Sequence, residues 1–179
     1  VWISLSWKTD NSITPIGFRH HCISNESRLM SAKDHNQDFR SGYIVLAGKP
    51  NVGKSTLFNA LVGERLSIVS HKPQTTRNNI IGILTTDKSQ MIFQDTPGLL
   101  EPQYRLHEAM LRSIGKAVGE ADVVLGMVDA SDFESSFSET LKRTLNATNL
   151  KRIVALNKID LVGSDEAERF LTKINTSID

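Results

Sequence analysis

The chain has 179 residues, 39% of them hydrophobic and 23% charged, the composition of one ordinary globular domain with a sizeable core. Its formal net charge of +1 gives no argument for a nucleic-acid or membrane surface. A single cysteine, Cys22, excludes an internal disulfide framework, and no apolar run is long enough to span a bilayer.

Residues 1–40 are rich in Ser, Asn and His and carry no sustained helix or strand period, so they read as a largely unstructured leader. The chain opens Val1-Trp2-Ile3, with no initiator Met and no charged segment before its short apolar start. That argues against a secretory signal and for a fragment or an upstream extension. Asp10, Glu26, Asp34 and Asp38 argue against an organelle-targeting peptide, which is poor in acids. His20-His21-Cys22 has no fourth ligand at a zinc-like spacing.

From Gly42 the pattern changes, and 41–179 reads as one folded unit. Tyr43–Ala47 is a short apolar run, followed by a Gly-bounded loop. Lys54–Val62 then sets Leu57, Phe58, Leu61 and Val62 on one helical face. Asn79–Thr86 and Gln90–Asp95 are two strands with Asp87-Lys88-Ser89 as the turn of a hairpin. Leu106–Val118 is helical in period, and Asp122–Val128 is the near-continuous apolar run of a strand buried on both faces. Phe137–Ala147 is a helix, Arg152–Leu156 a second buried strand, and Asp165–Ile174 a final helix with Ser164 as its N-cap. The alternation predicts an α/β fold in three layers, α/β/α, around a mostly parallel sheet with one antiparallel edge strand.

Three motifs carry chemistry. Gly48-Lys49-Pro50-Asn51-Val52-Gly53-Lys54-Ser55 has the GxxxxGK[ST] spacing and lies between a strand and a helix, where backbone N–H groups can cradle phosphates. Lys54 can reach the β- and γ-phosphates, Ser55 can offer its hydroxyl to Mg2+, and Thr56 continues the helix start. Asp95-Thr96-Pro97-Gly98 ends a strand, so Asp95 can hold Mg2+ through water and Gly98 can bring its N–H close to the γ-phosphate. Asn157-Lys158-Ile159-Asp160 follows the last strand. The Asp160 carboxylate only accepts hydrogen bonds, which suits N1–H and the 2-amino group of guanine and leaves it unpaired against adenine. Asn157 can pair with the other edge of the base, and the Lys158 stem can cover its ring. In the polar segment between, Thr75 and Thr76 are candidates to close over Mg2+ and the γ-phosphate.

Gly48 to Leu57 resembles the P-loop of the TrmE–Era–Der group of Ras-like P-loop GTPases. Ser70-His71-Lys72-Pro73-Gln74-Thr75-Thr76-Arg77 is similar to switch I of the Era family, and Asp95 to Pro102 with Arg105-Leu106-His107 to its switch II. The resemblance covers about Gly42 to the C-terminus. It implies that the nucleotide is GTP, the metal Mg2+, and the reaction slow hydrolysis to GDP and phosphate. It places Mg2+ on Ser55 and Thr76, with Asp95 through water, and makes Lys54, Thr76 and Gly98 the residues nearest the reacting phosphate. It assigns nucleotide contacts to Gly48, Asn51, Val52, Gly53, Lys54, Ser55, Thr56, Asp95, Gly98, Asn157, Lys158 and Asp160. Asn51 matches a P-loop asparagine associated with K+ in relatives. Where Ras-type enzymes place a water-orienting glutamine, this chain has Leu99. The family also carries a last strand and helix and a KH domain for small-subunit ribosomal RNA, and the resemblance implies that these lie in a longer parent chain. The expected role is a switch in small ribosomal subunit assembly, as a cytoplasmic monomer with peripheral contact at the inner face of the membrane in some members. A nucleotide-dependent binding module without hydrolysis, or another TrmE- or Der-like GTPase, is the alternative.

Overall fold

The computed structural model describes residues 39–69, 76, 79–100, 105–146 and 150–178, together with the backbone of Ile3–Trp7 and Ile16–Gly17. The leader's remaining residues, the His20-His21-Cys22 run, most of the expected switch I segment and 101–104 lie outside the described residues. Among the described residues seven strands form one sheet: β1 (Ile3–Trp7), β2 (Ile16–Gly17), β3 (Arg40–Gly48), β4 (Ile80–Thr85), β5 (Ser89–Asp95), β6 (Val123–Asp129) and β7 (Lys151–Asn157). The described residues also form five α-helices: α1 (Lys54–Val62), α2 (Arg105–Gly119), α3 (Phe133–Ser136), α4 (Glu139–Asn146) and α5 (Ser164–Ser177).

The spatial order is β2-β1-β7-β6-β3-β5-β4. β3 runs parallel to β5 and β6, and β6 parallel to β7, while β4 returns antiparallel to β5 through the expected hairpin. The mostly parallel core with one antiparallel edge is therefore as the strand pattern implied. β1 and β2 extend it past β7, with Ile3 opposite Asn157 and Trp7 opposite Ile153. The reading of 1–40 as unstructured does not hold for these strands, nor for Arg40, which opens β3. The signal for β1 is present in Ile3-Ser4-Leu5-Ser6-Trp7, which alternates apolar and polar residues. It is too short to stand out from its polar surroundings.

Parallel strands buried on both faces need apolar residues throughout, and burial deepens toward their C-terminal ends. The last four residues of β3 and of β7, and the last six of β6, are buried. On one face Phe58 and Leu57 of α1 pack with Leu46, Phe93, Leu125 and Met127. On the other, Ile114 and Val118 of α2, Leu141 and Leu145 of α4 and Ile174 of α5 close over Val45, Val124 and Val154. Burial of one such side chain contributes about 1.5–3 kcal/mol. α1 stops at Gly63, whose left-handed φ of 81° lets its N–H return to the Asn59 carbonyl.

Two helix starts differ from the sequence reading. α4 begins at Glu139 because Phe137 is buried against Phe133, and the Ser138 hydroxyl accepts from the Leu141 N–H at 3.3 Å. The N-cap of α5 is Gly163, so Ser164 is already helical. The four-residue α3 is too short to show a period in sequence.

Candidate functional site

The candidate site lies beyond the carboxyl ends of β3, β5, β6 and β7, where the helices that follow β3 and β5, α1 and α2, pack on opposite faces of the sheet. Open α/β sheets bind ligands at such reversals. The strand pairing sets the motif residues side by side. Leu46 of β3 pairs with Asp95, Gly48 with Met127, and Asp129 with Asn157.

The loop Lys49–Gly53 turns into α1, which has no side-chain N-cap and no acid in its first turn. Its first N–H groups and its positive dipole end are therefore unopposed, the electrostatics of an anion site. Asn51 holds a left-handed φ of 65°, a conformation asparagine tolerates. Gly53 has φ 104°, and a Cβ there would lie 2.3 Å from Asn157 Nδ2. Asn157 Nδ2 passes this point to donate to the Val52 carbonyl at 2.8 Å. The loop and the Asn-Lys-Ile-Asp motif, 105 residues apart, are thus one construction.

Lys54 is buried, and its ammonium donates to the Gly48 and Lys49 carbonyls at 3.0 and 2.9 Å. Burial lowers its pKa to about 8, with the negative charge of Asp95 acting in the opposite direction. Lys49 reaches across to the Ser135 hydroxyl. Gly98 packs on Pro50 so closely that a Cβ would lie 2.5 Å from its ring. The next N–H, that of Leu99, donates to the Gly48 carbonyl at 2.9 Å. Thr96 Oγ1 donates to the Leu46 carbonyl at 2.7 Å. The Asp-Thr-Pro-Gly turn is therefore laid directly against the loop.

Ser55, Thr76 and Asp95 come together as the sequence suggested. Ser55 Oγ donates to Asp95 Oδ2 at 2.7 Å and lies 3.3 Å from Thr76 Oγ1. Asp95 is fully buried, and its Oδ1 has no hydrogen-bond partner among the described residues. An all-oxygen set with one orphaned carboxylate oxygen suits a hard divalent cation such as Mg2+. These residues fit the metal that the fold implies.

At the other end Lys158 adopts φ 58° and its ammonium meets Asp129 Oδ2 at 2.5 Å. Asp129 Oδ1 accepts from the N–H and hydroxyl of Ser131 at 3.0 and 2.6 Å. Asp160 follows in a short 3-10 turn with its side chain exposed. Thr56 is exposed on the first turn of α1. Thr75 and Arg77 lie outside the described residues.

The sequence reading missed Asp129, Ser131, Asn59 and Ser67. Asp129 had a signal, since it ends a buried strand as Asp95 and Asn157 do. Ser67 and Asn59 had none, because the bond that gives Ser67 its place is to Asp95, 28 residues on, and Asn59 serves only to hold Ser67.

Known proteins bear on this geometry. The 50S ribosome-binding GTPase family matches residues 43–158. The GTPase Era of Thermotoga maritima is 47% identical over 129 residues, covering 72% of this chain and 43% of that protein. The GTPase Era of Heliobacterium modesticaldum is 39% identical over 142 residues, covering 79% and 48%. The chain thus spans about half the length of the relatives it matches. Among solved structures, Era in complex with MgGDPNP and nucleotides 1506–1542 of 16S ribosomal RNA superposes with a TM-score of 0.73 at 35% identity, over 78% of this chain and 49% of that one. The P-loop, the acid-ended strand and the Asn-Lys-Ile-Asp turn occupy one site in this fold, and the chain belongs to the family of 50S ribosome-binding GTPases.

Proposed function

We propose that the chain is the guanine-nucleotide-binding part of an Era-like GTPase that hydrolyses GTP to GDP and phosphate. One observation carries this reading: Asn157 is anchored on Val52 across Gly53, so a base held at Asp160 has its phosphates led to the Lys54 loop.

In this reading Asp160 accepts from the guanine N1–H and 2-amino group, and the Lys158 stem lies along the ring. The α1 N-terminus and the N–H groups of 51–56 hold the phosphates. Lys54 has two of its three N–H donors on loop carbonyls, leaving one for a phosphate oxygen. Ser55 and Thr76 would hold Mg2+, with Asp95 behind it through water. When bound, Mg2+ neutralises charge on the β- and γ-oxygens. Gly98, already against the loop, offers its N–H to the γ-phosphate side. Water attacks the γ-phosphorus and the bond to the bridging oxygen breaks, releasing GDP. Leu99 supplies no group to orient that water, so turnover is slow. Asn51 is the residue through which K+ would add positive charge near the β–γ bridge. Equal turnover in K+ and Na+ salts counts against that role.

The Era structure described above holds ribosomal RNA, which supports an rRNA partner for a longer chain that carries the RNA-binding part. A role in small-subunit assembly is proposed on the same footing. Binding of fluorescent GDP against fluorescent ADP, with Mg2+, tests the central reading. Guanine-selective binding is the expected result, and equal or absent binding of both nucleotides, including by a chain extended at its C-terminus, overturns it.

A further inference from the structure

Ser67 is 4% exposed between Leu66 at 43% and Ile68 at 69%, so at this point the chain turns its polar residue inward and its apolar ones out. Burying a hydroxyl while exposing two aliphatic side chains is unfavourable unless the hydroxyl is well bonded. Ser67 Oγ donates to Asp95 Oδ2 at 2.7 Å, onto the same oxygen that receives Ser55 Oγ at 2.7 Å. Its backbone is fixed as well. The Ser67 N–H donates to Asn59 Oδ1 at 2.9 Å, and Asn59 Nδ2 donates to the Ser67 carbonyl at 2.8 Å. Asn59 belongs to α1, the helix that also carries Lys54 and Ser55.

The Asp χ2 torsion is broad and nearly two-fold, so the two oxygens of a lone carboxylate exchange places readily. Two donors on Oδ2 remove that freedom and leave Oδ1 as the oxygen without a partner among the described residues. Hydrogen bonds from hydroxyls to a buried carboxylate are among the stronger ones. Thr76 Oγ1 lies 3.3 Å from the same Ser55 Oγ.

We propose that Ser67 is a positioning residue for the Mg2+ site: through Oγ it fixes the rotation of Asp95, and the two bonds from Asn59 of α1 to its backbone hold that hydroxyl in place. The proposal rests on the GTPase reading. Ser67 is assigned no contact with nucleotide or metal, and acts through Asp95.

The test is the Mg2+ dependence of fluorescent GDP release from the chain, measured by chase with unlabelled GDP over a Mg2+ titration and again in EDTA. For Ser67→Ala the Mg2+ concentration giving half-maximal slowing of release is expected to rise about 10-fold or more, the usual consequence of losing a partner that orients a metal-binding group. Release in EDTA should stay at the wild-type rate, which also shows that the variant folds and holds the base. Ser67→Thr, which keeps the hydroxyl, should restore most of the Mg2+ dependence. Asn59→Ala should move the Mg2+ midpoint in the same direction as Ser67→Ala by freeing the backbone. An unchanged midpoint in Ser67→Ala overturns the proposal while leaving the GTPase reading intact. So does equal acceleration in Mg2+ and in EDTA, which would mark Ser67 as merely structural. Failure of the wild-type chain, and of a chain extended at its C-terminus, to bind GDP in preference to ADP would remove the GTPase reading, and this inference with it.

Discussion

Lys158 Nζ meets Asp129 Oδ2 at 2.5 Å, an ion pair that ties the end of β7 to the end of β6. The Asp129 side chain is only 9% exposed and Lys158 36%, so the pair sits at the edge of the interior. Asp129 in turn is held by Ser131. The arrangement keeps the Lys158 stem from swinging into solvent, where it could not cover a base.

Asp129→Asn should therefore weaken GDP binding, by about 1–2 kcal/mol or roughly 10-fold, since partial exposure places the pair between surface and buried values. Preference for guanine over adenine should survive, because Asp160 is untouched. Parallel titrations with fluorescent GDP and ADP check both statements. An unchanged GDP affinity would show that Lys158 is held by the loop alone.

Gly53 and Gly63 share a left-handed φ, yet their surroundings separate strain from collision. A Cβ on Gly63 meets nothing within 4 Å, whereas one on Gly53 meets Asn157 Nδ2 at 2.3 Å. Gly63→Ala should cost about 1 kcal/mol of stability, the penalty for forcing a side chain into this conformation, and leave nucleotide affinity alone. Gly53→Ala must push Asn157 off the Val52 carbonyl and should abolish measurable GDP binding. Thermal melting together with nucleotide titration of the two variants distinguishes the cases.

What could be read in the sequence follows from how local each feature is. The P-loop, Asp95 and the Asn157–Asp160 run are set by spacing within a few residues, and each lies at the end of a strand visible as an apolar run. Contact between them required the register, which places Asp129 beside Asn157 and Leu46 beside Asp95. Ser67 could not be found this way. Its neighbours Leu66 and Ile68 suggest a buried pair around a solvent-facing serine, and the fold inverts that pattern because Asp95 and Asn59 supply the bonds. β1 escaped notice for the opposite reason, a correct period in too short a run.

Lys54 places an ammonium in the interior, and its lowered pKa records the cost of removing that charge from water. Two carbonyl bonds offset only part of it. Lys54→Met should leave the chain without nucleotide as stable or more stable, by about 1–3 kcal/mol, while removing affinity for GTP analogues. Urea unfolding without and with a non-hydrolysable GTP analogue checks the pair of effects. Lower stability without nucleotide would mean that the two carbonyl bonds outweigh desolvation.

Leu99 occupies the position from which a glutamine orients water in Ras-type enzymes, and the obvious repair would be Leu99→Gln. The fold argues against it. Leu99 is 3% exposed and belongs to the larger core, while its N–H is spent on the Gly48 carbonyl. A glutamine amide there would be buried among apolar side chains without a partner, at a cost of about 1–3 kcal/mol beyond the lost packing. At this chain length such a loss lowers Tm by roughly 2–12 °C. Single-turnover hydrolysis by Leu99→Gln should be no faster than wild type, because the backbone bond aims side chain 99 into the core and away from the phosphates. A faster turnover with an unchanged Tm would show that this side chain leaves the core during the reaction, and that the turn from Asp95 to Leu99 opens more widely than its contacts with Pro50 and Gly48 suggest.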